Sequence, residues 1–308
     1  MTETRMCPHN EPPTTYFVAM TELVLPKGIT LIDSPLPGIR VETPSGSGVV
    51  YFNGAHVAEW TPAGQRPVLW MSESSMFEAG KAIRGGVPIV WPWFATGVNG
   101  DQTPAHGIAR LCEWHLRHAK VTSRGATLTL GLEGSEIPPG FAPDMPRDFD
   151  LEMRVSMGKV LILQLVLTNG QHELSIEEGL HTYFAVGDIH KVRVEGLDGA
   201  AYTDKVANST ATQQGDVRFT GETDRVYESR SATRIVDEEW NRTILVDKVS
   251  SAQTVVWNPW IAKAAAMPDF GDDEWTQMVC VEAVNTRDQS ITVPPMRRHL
   301  LSQTVEVL

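Results

Sequence analysis

Hydrophobic and polar residues alternate in short segments along most of the chain. Examples are GATLTLGLEGS, FDLEMRVSMGK and VLILQLVLTNG, which are rich in Val, Leu and Thr and are bounded by Gly, Asn or charged residues. Alternation with a period of two is typical of β-strands, and the bounding residues are typical of turns. Stretches with the helical period of 3.6 are scarce. The pattern predicts an all-β protein, a large sandwich or barrel of antiparallel strands.

The same pattern predicts the domain organisation. Residues 1–15 are polar and rich in proline, so we expect a flexible N-terminal tail. No fixed-period repeat stands out in the remainder, which disfavours propeller and solenoid architectures. A chain of 308 residues fits one large domain or two small ones, and the strand pattern continues without a break. We therefore predict that residues 16–308 form a single β-sandwich domain.

Composition and charge restrict which classes of partner the protein can bind and indicate its cellular location. The formal net charge is -12 and no run of Lys or Arg is present, which argues against nucleic acid or a membrane surface as a partner. No secretory signal is visible, and no apolar stretch approaches a membrane span. Cys7, Cys112 and Cys280 are odd in number and far apart, which is typical of reduced thiols. We expect a cytoplasmic protein and, as the simplest state, a monomer.

One predicted strand carries a residue that its neighbours do not explain. In VCVEAVN, residues 279–285, apolar side chains fall on both faces, which is typical of a buried strand. Glu282 stands where Val or Leu would be expected. Burying an unpaired carboxylate costs several kcal/mol or forces it to stay protonated. Glu282 therefore needs a buried partner, such as an Arg or backbone amides, or a catalytic purpose.

A second strand carries a histidine among apolar residues. In EEGLHTYFAV, His181, Tyr183 and Ala185 are predicted to share one strand face. Imidazole exchanges a proton near neutral pH. For His181 alone, a hydrogen-bonded structural histidine is the alternative. Together with an inward Glu282, however, it would provide the two groups that general acid/base catalysis requires.

Two further segments suggest recognition of an anionic or sugar-like ligand. In AIRGGVPIVWPWF, Arg84 precedes two glycines that would let backbone approach a ligand, and Trp91 and Trp93 could stack on a sugar ring. In AHGIAR, His106 and Arg110 surround a glycine. The planar guanidinium suits phosphate or carboxylate. Taken singly, a surface arginine beside a tryptophan-rich core and a hydrogen-bonded turn histidine remain alternatives.

Several familiar motifs are excluded. PSGSGVVYF lacks the GxGxxG spacing, and neither a GxxxxGK[ST] phosphate loop nor a GxSxG nucleophile elbow is present. His115 and His118 are spaced like an HxxH pair. On a strand, however, this odd offset predicts opposite faces, so that one metal ion would not bind both. The sequence predicts no metal and no cofactor.

The four segments together, in this order, resemble the glucose-6-phosphate 1-epimerases (hexose-6-phosphate mutarotases), within the wider aldose 1-epimerase group. AIRGGVPIVWPWF, HGIAR, GLHTYF, and VWNPW followed by VCVEAVN carry the resemblance, which covers nearly the whole chain except the tail. It implies a galactose-mutarotase-like supersandwich of antiparallel sheets with the active site in a concave cleft. One departure is Ala105, where the family often has a Gln whose amide would bind substrate.

The resemblance also implies roles for individual residues. His181, in the HTYF motif, would be the catalytic acid, and Glu282, in the VCVE motif, the catalytic base. The remaining positions would bind substrate: Arg84, His106, Arg110 and Asp224, the last in FTGETDRVY.

The implied reaction is the interconversion of the α and β anomers of a hexose 6-phosphate, so the expected partner is a small phosphorylated sugar. Three alternatives stay open at this point. They are an aldose 1-epimerase acting on unphosphorylated sugars, a glycosidase pairing Glu282 with Asp224, and a non-catalytic carbohydrate-binding module on the same scaffold.

Overall fold

A computed structural model describes residues 24–308, and β-strands make up nearly all of their regular structure. The all-β prediction is confirmed. The predicted tail, residues 1–15, and Cys7 lie outside the described residues.

Strands follow one another closely along the chain. The first seven are β1 (Ile29–Ile32), β2 (Gly38–Thr43), β3 (Gly46–Tyr51), β4 (His56–Pro62), β5 (Ile89–Val90), β6 (His115–Thr122) and β7 (Gly125–Glu133). The next eight are β8 (Asp150–Gly158), β9 (Val160–Thr168), β10 (Leu174–Ile176), β11 (Glu178–Leu180), β12 (Tyr183–Ala185), β13 (Val192–Glu195), β14 (Ala201–Asp204) and β15 (Ser209–Thr212). The last eight are β16 (Val217–Arg218), β17 (Thr223–Glu228), β18 (Thr233–Asp237), β19 (Arg242–Val249), β20 (Gln253–Asn258), β21 (Met278–Asn285), β22 (Ile291–Val293) and β23 (Arg298–Val307).

Helical segments are short and lie between strands. The α-helix α1 spans Trp260–Ala265. The 3₁₀ turns are Ala109–Leu111, Gly134–Glu136, Ile189–Lys191, Glu274–Gln277 and Arg287–Gln289. Between residues 24 and 308, no helix is long and apolar enough to cross a membrane.

Two large antiparallel sheets form the body of the protein. One has nine strands in the order β16-β13-β18-β19-β23-β9-β8-β7-β6. The other has eight, in the order β15-β14-β17-β20-β21-β11-β5, with β12 also paired to β21. A four-stranded sheet, β1-β2-β3-β4, and a two-stranded pair, β10-β22, complete the fold.

The apolar residues that alternate along these strands form one continuous core. On β8, for example, Leu151, Met153 and Val155 are fully buried, while the residues between them are partly exposed. Burying each such side chain contributes about 1.5–3 kcal/mol. Behind β21 the two large sheets are joined by Gln303 of β23, whose Nε2 donates to the carbonyl of Val281 at 3.1 Å.

The strand that contains VCVEAVN lies in the interior of the eight-stranded sheet. β21 pairs with β20 on one side and with β11 and β12 on the other, and all eight of its residues are buried. The prediction of a strand buried on both faces is confirmed. Its partner on the second side is interrupted at His181 and Thr182, which separate β11 from β12.

The prediction for the two spaced histidines is wrong. The register of β6 against β7 shifts between Leu116 and His118, because a β-bulge adds one residue there. The extra residue brings His115 and His118 to the same exposed face instead of opposite faces. His115 is engaged by Glu136, with Nε2 3.0 Å from Oε1.

Candidate active site

Strand register places four side chains in one row across the eight-stranded sheet. Asp224 on β17 lies opposite Trp257 on β20, Trp257 opposite Cys280 on β21, and Cys280 opposite Tyr183 on β12. Directly opposed residues of antiparallel strands project from the same face. Glu282, two residues beyond Cys280, projects from that face as well. The sheet itself therefore builds a cluster of polar and aromatic side chains.

His181 and Glu282 meet within this cluster. The His181 Nδ1 lies 3.4 Å from the Glu282 Oε1, and the two residues are only 8% and 2% exposed. The imidazole stacks on the ring of Tyr183, with centroids 4.8 Å apart and planes 9° apart, and meets Trp257 edge-on. We call His181, Tyr183, Trp257, Cys280 and Glu282 the floor of the site.

Part of the hydrogen-bonding capacity of this pair is unused. Within residues 24–308, neither the His181 Nδ1 nor the Glu282 Oε2 has a hydrogen-bond partner, although both atoms are buried. An unsatisfied buried polar atom costs about 1–3 kcal/mol. Such atoms are uncommon in native proteins, and they are the atoms that a substrate hydroxyl would satisfy.

Burial shifts the pKa values of Glu282 and His181 in opposite directions. It raises the pKa of Glu282 well above its ordinary value, and the nearby cations Lys205 and Arg110 offset part of that rise while Asp224 adds to it. Burial likewise lowers the pKa of His181 well below its ordinary value. Both shifts disfavour charge in a desolvated place. For the pair, burial therefore favours a protonated Glu282 carboxyl group and a neutral His181 imidazole.

His106 lies beside the floor in a defined tautomer. Its backbone has a φ of +65°, and its Nδ1 accepts a hydrogen bond of 3.3 Å from the backbone N–H of Ala95. Burial, reinforced by Arg110, lowers the pKa of His106 well below its ordinary value. The ring is therefore neutral with its proton on Nε2. The ring centroid is 5.7 Å from that of His181, and Nε2–H is available as a donor.

Arg84 stands above the floor in a fixed orientation. Its Nε and NH2 donate to the Asp269 carboxylate at 3.2 and 3.1 Å, and its NH1 donates to the Tyr183 hydroxyl at 3.0 Å. The sequence predicted that the adjacent glycines let backbone approach a ligand, and the structure shows that they permit close approach between backbone segments. A Cβ on Gly86 would lie 2.3 Å from the carbonyl oxygen of Val57, so the close approach there is between two backbone segments.

Arg110 and Lys205 supply two further cations. The NH2 of Arg110 donates to the carbonyl of Ala105 at 2.7 Å, and its buried Nε has no partner within the described part of the chain. Burial lowers the pKa of Arg110 to about 10, so it remains a cation at neutral pH. The Lys205 Nζ lies 3.5 Å from the Asp224 carboxylate and 4.5 Å from the centre of the Phe94 ring.

We call Arg84, Arg110, Lys205 and Asp269 the rim of the site. The structure thus brings together all six residues predicted to form it: Arg84, His106, Arg110, His181, Asp224 and Glu282. Lys205 and Asp269 were missed, and they lie in turns with no motif to single them out. Tyr183 and Cys280 were visible as neighbours of the predicted catalytic residues, on the same strand faces.

Two predicted sugar-stacking residues have structural roles. Trp91 is fully buried and packs on Phe149, with ring centroids 4.9 Å apart, so its stacking role is wrong. Trp93 is 7% exposed, and its indole N–H donates to the carbonyl of Pro104 at 2.8 Å. The tryptophan that contacts the imidazole of the site is Trp257.

The turn that carries His106 and Arg110 offers a matched test of local geometry. Gly107 has a φ of +74°, and a Cβ there would lie 2.0 Å from the carbonyl oxygen of Trp91. Gly100 has a similar φ of +77°, but the nearest atom to its Cβ would be the Thr96 Oγ1 at 3.9 Å. Both alanine variants incur backbone strain of roughly 1–2 kcal/mol. Gly107→Ala adds a clash costing about 1–3 kcal/mol more.

Urea denaturation should therefore show a larger loss of stability for Gly107→Ala than for Gly100→Ala. Activity should fall only in Gly107→Ala, because the clash displaces His106 and Arg110. Equal losses in the two variants would show that the backbone contact at Trp91 does not hold this turn.

The chain is similar in sequence to proteins of known family. The aldose 1-epimerase family profile matches residues 39–305. A protein of Escherichia coli K12 named "putative glucose-6-phosphate 1-epimerase" is 37% identical over 272 residues, covering 87% of this chain and 90% of the relative. A protein of Cenchrus ciliaris with the same name is 36% identical over 263 residues, covering 80% and 77%.

Solved structures agree in fold. The crystal structure of a "putative mutarotase" from Salmonella typhimurium superposes with a TM-score of 0.85 at 33% identity, covering 92% of this chain and 95% of that one. A galactose mutarotase-like protein of Clostridium acetobutylicum gives a TM-score of 0.67 at 14% identity, covering 91% and 97%, and shows the fold alone. The expected galactose-mutarotase-like fold is confirmed, and the chain belongs to the aldose 1-epimerase family.

Proposed function

We propose that this epimerase interconverts the α and β anomers of a hexose 6-phosphate, with glucose 6-phosphate as the first candidate. The observation that carries the proposal is the buried His181–Glu282 pair, 3.4 Å apart, below a rim of three cations. The names of the relatives from Escherichia coli and Cenchrus ciliaris support the same reaction and the same substrate.

The reaction proceeds through the open-chain aldehyde. Glu282, as carboxylate, takes the proton of the anomeric hydroxyl while His181, as imidazolium, protonates the ring oxygen, and the C1–O5 bond breaks. After rotation about C1–C2, the two groups return their protons and the ring closes on the other face of the aldehyde. Each well-placed acid or base contributes roughly 10²- to 10⁴-fold to the rate.

Substrate binding does not change the number of protons shared by His181 and Glu282. In the empty site the single proton of the pair lies on Glu282, because burial favours the uncharged forms. A sugar hydroxyl that donates to the carboxyl group favours its ionised form, and the proton then passes to His181 across the short gap between them. No net charge enters or leaves the buried floor in this step.

The rim supplies the contacts for the phosphate. Within residues 24–308 the Nε of Arg110 has no hydrogen-bond partner, so this cation has an N–H group free to bind an anion. Asp269 accepts hydrogen bonds from the Nε and NH2 of Arg84 and so fixes the plane of the guanidinium group. The remaining N–H groups of Arg84 would bind the ligand. Asp224 would accept hydrogen bonds from sugar hydroxyls, and His106 would donate one from Nε2.

Anomer exchange measured by saturation-transfer NMR tests the proposal. Catalysed exchange is expected to be faster for glucose 6-phosphate than for glucose or galactose at equal concentrations. No exchange above the spontaneous rate with any hexose would contradict the proposed reaction. Equal acceleration of free and phosphorylated sugars would contradict the phosphate-binding role of the rim.

A pair of arginine variants sharpens this experiment. Arg110→Met retains the packing of the aliphatic stem and removes the charge. Losing hydrogen bonds to a charged group costs about 1.5–3 kcal/mol, so kcat/KM for glucose 6-phosphate should fall roughly 10- to 100-fold. Exchange of free glucose should change far less. Arg117→Met, which removes a surface arginine paired with Asp150 on the nine-stranded sheet, is the control and should alter neither rate.

A further inference from the structure

The floor contains a thiol that the proposed mechanism does not use. Cys280 is fully buried and lies in register with Tyr183, two residues before Glu282. One ring nitrogen of His181, the Cys280 Sγ and one carboxylate oxygen of Glu282 all lie within 4.8 Å of one another. From this arrangement we propose that the three side chains bind a thiophilic divalent metal ion, with Zn²⁺ as the prototype, and that the bound ion inhibits the enzyme reversibly.

The separations are close to those of a tetrahedral site. Zinc binds nitrogen and oxygen at about 2.0–2.2 Å and sulfur at about 2.3 Å, so tetrahedral ligands lie roughly 3.3–3.7 Å from one another. The 3.4 Å between the His181 Nδ1 and the Glu282 Oε1 already meets this requirement. The sulfur has to approach by about 1 Å at most to do the same. Three protein ligands leave the fourth position for water.

The unsatisfied atoms of the pair point to the same site independently. The His181 Nδ1 and the Glu282 Oε2 are buried and have no hydrogen-bond partner within residues 24–308. A metal ion bound to Nδ1 and to the Glu282 carboxylate would satisfy lone pairs that the described residues leave open.

Charge balance permits the ion to enter despite the cations of the rim. Burial raises the pKa values of both Cys280 and Glu282 and so favours their uncharged, protonated forms. A bound metal ion removes the proton from a coordinating thiol outright, and a ligating carboxyl is likewise deprotonated. Two protons leave as one divalent cation enters, and the net charge of the site is unchanged.

The donor set determines which metals bind and what they do. A nitrogen, a thiolate and one carboxylate suit Zn²⁺, Co²⁺ or Cd²⁺, whereas Mg²⁺ demands oxygen ligands in octahedral geometry. An ion held by His181 and Glu282 occupies the lone pairs that proton transfer requires. Inhibition should therefore compete with the sugar and should disappear when a chelator removes the metal.

Two replacements at Cys280 test the site, and replacements of the other two cysteines serve as background and control. Cys7 is changed to serine in every protein, since it lies outside the described residues. In that background we compare the parent with Cys280→Ser and Cys280→Ala, and use Cys112→Ser, at a second buried free cysteine, as the control. Thermal melting shows which variants fold. Inhibition of anomer exchange by Zn²⁺ and the absorption spectrum with Co²⁺ are then measured, with Mg²⁺ as the metal control.

The expected result has two parts. The parent and Cys112→Ser show a near-ultraviolet thiolate-to-cobalt charge-transfer band and are inhibited by Zn²⁺ but not by Mg²⁺. Both Cys280 variants lose the band, and the variant that retains activity needs at least about tenfold more Zn²⁺ for the same inhibition, since even an outer-shell partner of a metal is worth that much.

A cobalt spectrum without the charge-transfer band in the parent would overturn the proposal, as would Zn²⁺ inhibition that is unchanged in an active Cys280 variant. The cobalt measurement requires no turnover. It therefore tests the metal site even if the enzyme proves inactive on hexose phosphates.

Discussion

Glu282→Gln is expected to slow catalysed anomer exchange of glucose 6-phosphate by roughly 10²- to 10⁴-fold, the usual contribution of one general base. The amide keeps the shape and the hydrogen-bonding capacity of the side chain but cannot take the proton of the anomeric hydroxyl. Saturation-transfer NMR gives the rate, and a titration followed by chemical shifts gives the affinity for the sugar. Binding should be largely retained, because the phosphate is held by the rim.

The stability of Glu282→Gln distinguishes lost chemistry from lost structure. In the folded wild type, burial raises the pKa of Glu282 above its ordinary value of 4.5. The stabilisation from that raised pKa is fully present below 4.5 and is lost as the pH rises through the folded value. Glutamine does not ionise, so the variant should be at least as stable as the wild type at neutral pH. Near-wild-type exchange in the folded variant would show that Glu282 is not the base.

His181→Gln should have an effect of similar size, roughly 10²- to 10⁴-fold on exchange, because ring opening needs a proton on the departing ring oxygen. The burial of His181 and its stacking on Tyr183 give the variant a further cost in packing, so the melting temperature is measured in parallel. His118→Gln, at an exposed position on β6, is the matched control and should leave the exchange rate unchanged.

The double variant of His181 and Glu282 is the sharper test of their partnership. Groups that act as a unit in one step give strongly non-additive losses when removed together. The double variant should therefore be little slower than either single variant, with the residual rate coming from solvent. Losses that multiply would mean that the two residues act in separate steps, and the shared-proton mechanism would have to be abandoned.

The strands and the two catalytic positions were accessible to sequence reasoning because their signals are local. Alternation with a period of two marks β8 and β9, a segment that is apolar on both faces marks β21, and the carboxylate in VCVEAVN interrupts that segment. The contact between His181 and Glu282 is not local. It depends on how β11 and β12 register against β21, and the assignment of the acid and base roles rested on the family resemblance.

What could not be predicted depends on tertiary placement. Asp269 and Lys205 enter the site from turns whose composition is ordinary for surface loops, and only the folded chain brings Asp269 to Arg84. The bulge at Arg117 inverted the predicted faces of the two spaced histidines, because one inserted residue reverses a period of two. Trp91 has the residue type of a sugar-stacking side chain but is enclosed by the core.

The floor is built on strands and the rim on the connections between them, and this difference has an evolutionary consequence. The floor projects from paired strands or, for His181, from the short break between two of them, where a change of register would turn the whole set away. The rim comes from connections, which accept substitution and insertion with little cost to the sheets. A descendant of this gene can therefore acquire a new sugar by altering its connections while inheriting the proton-transfer chemistry unaltered.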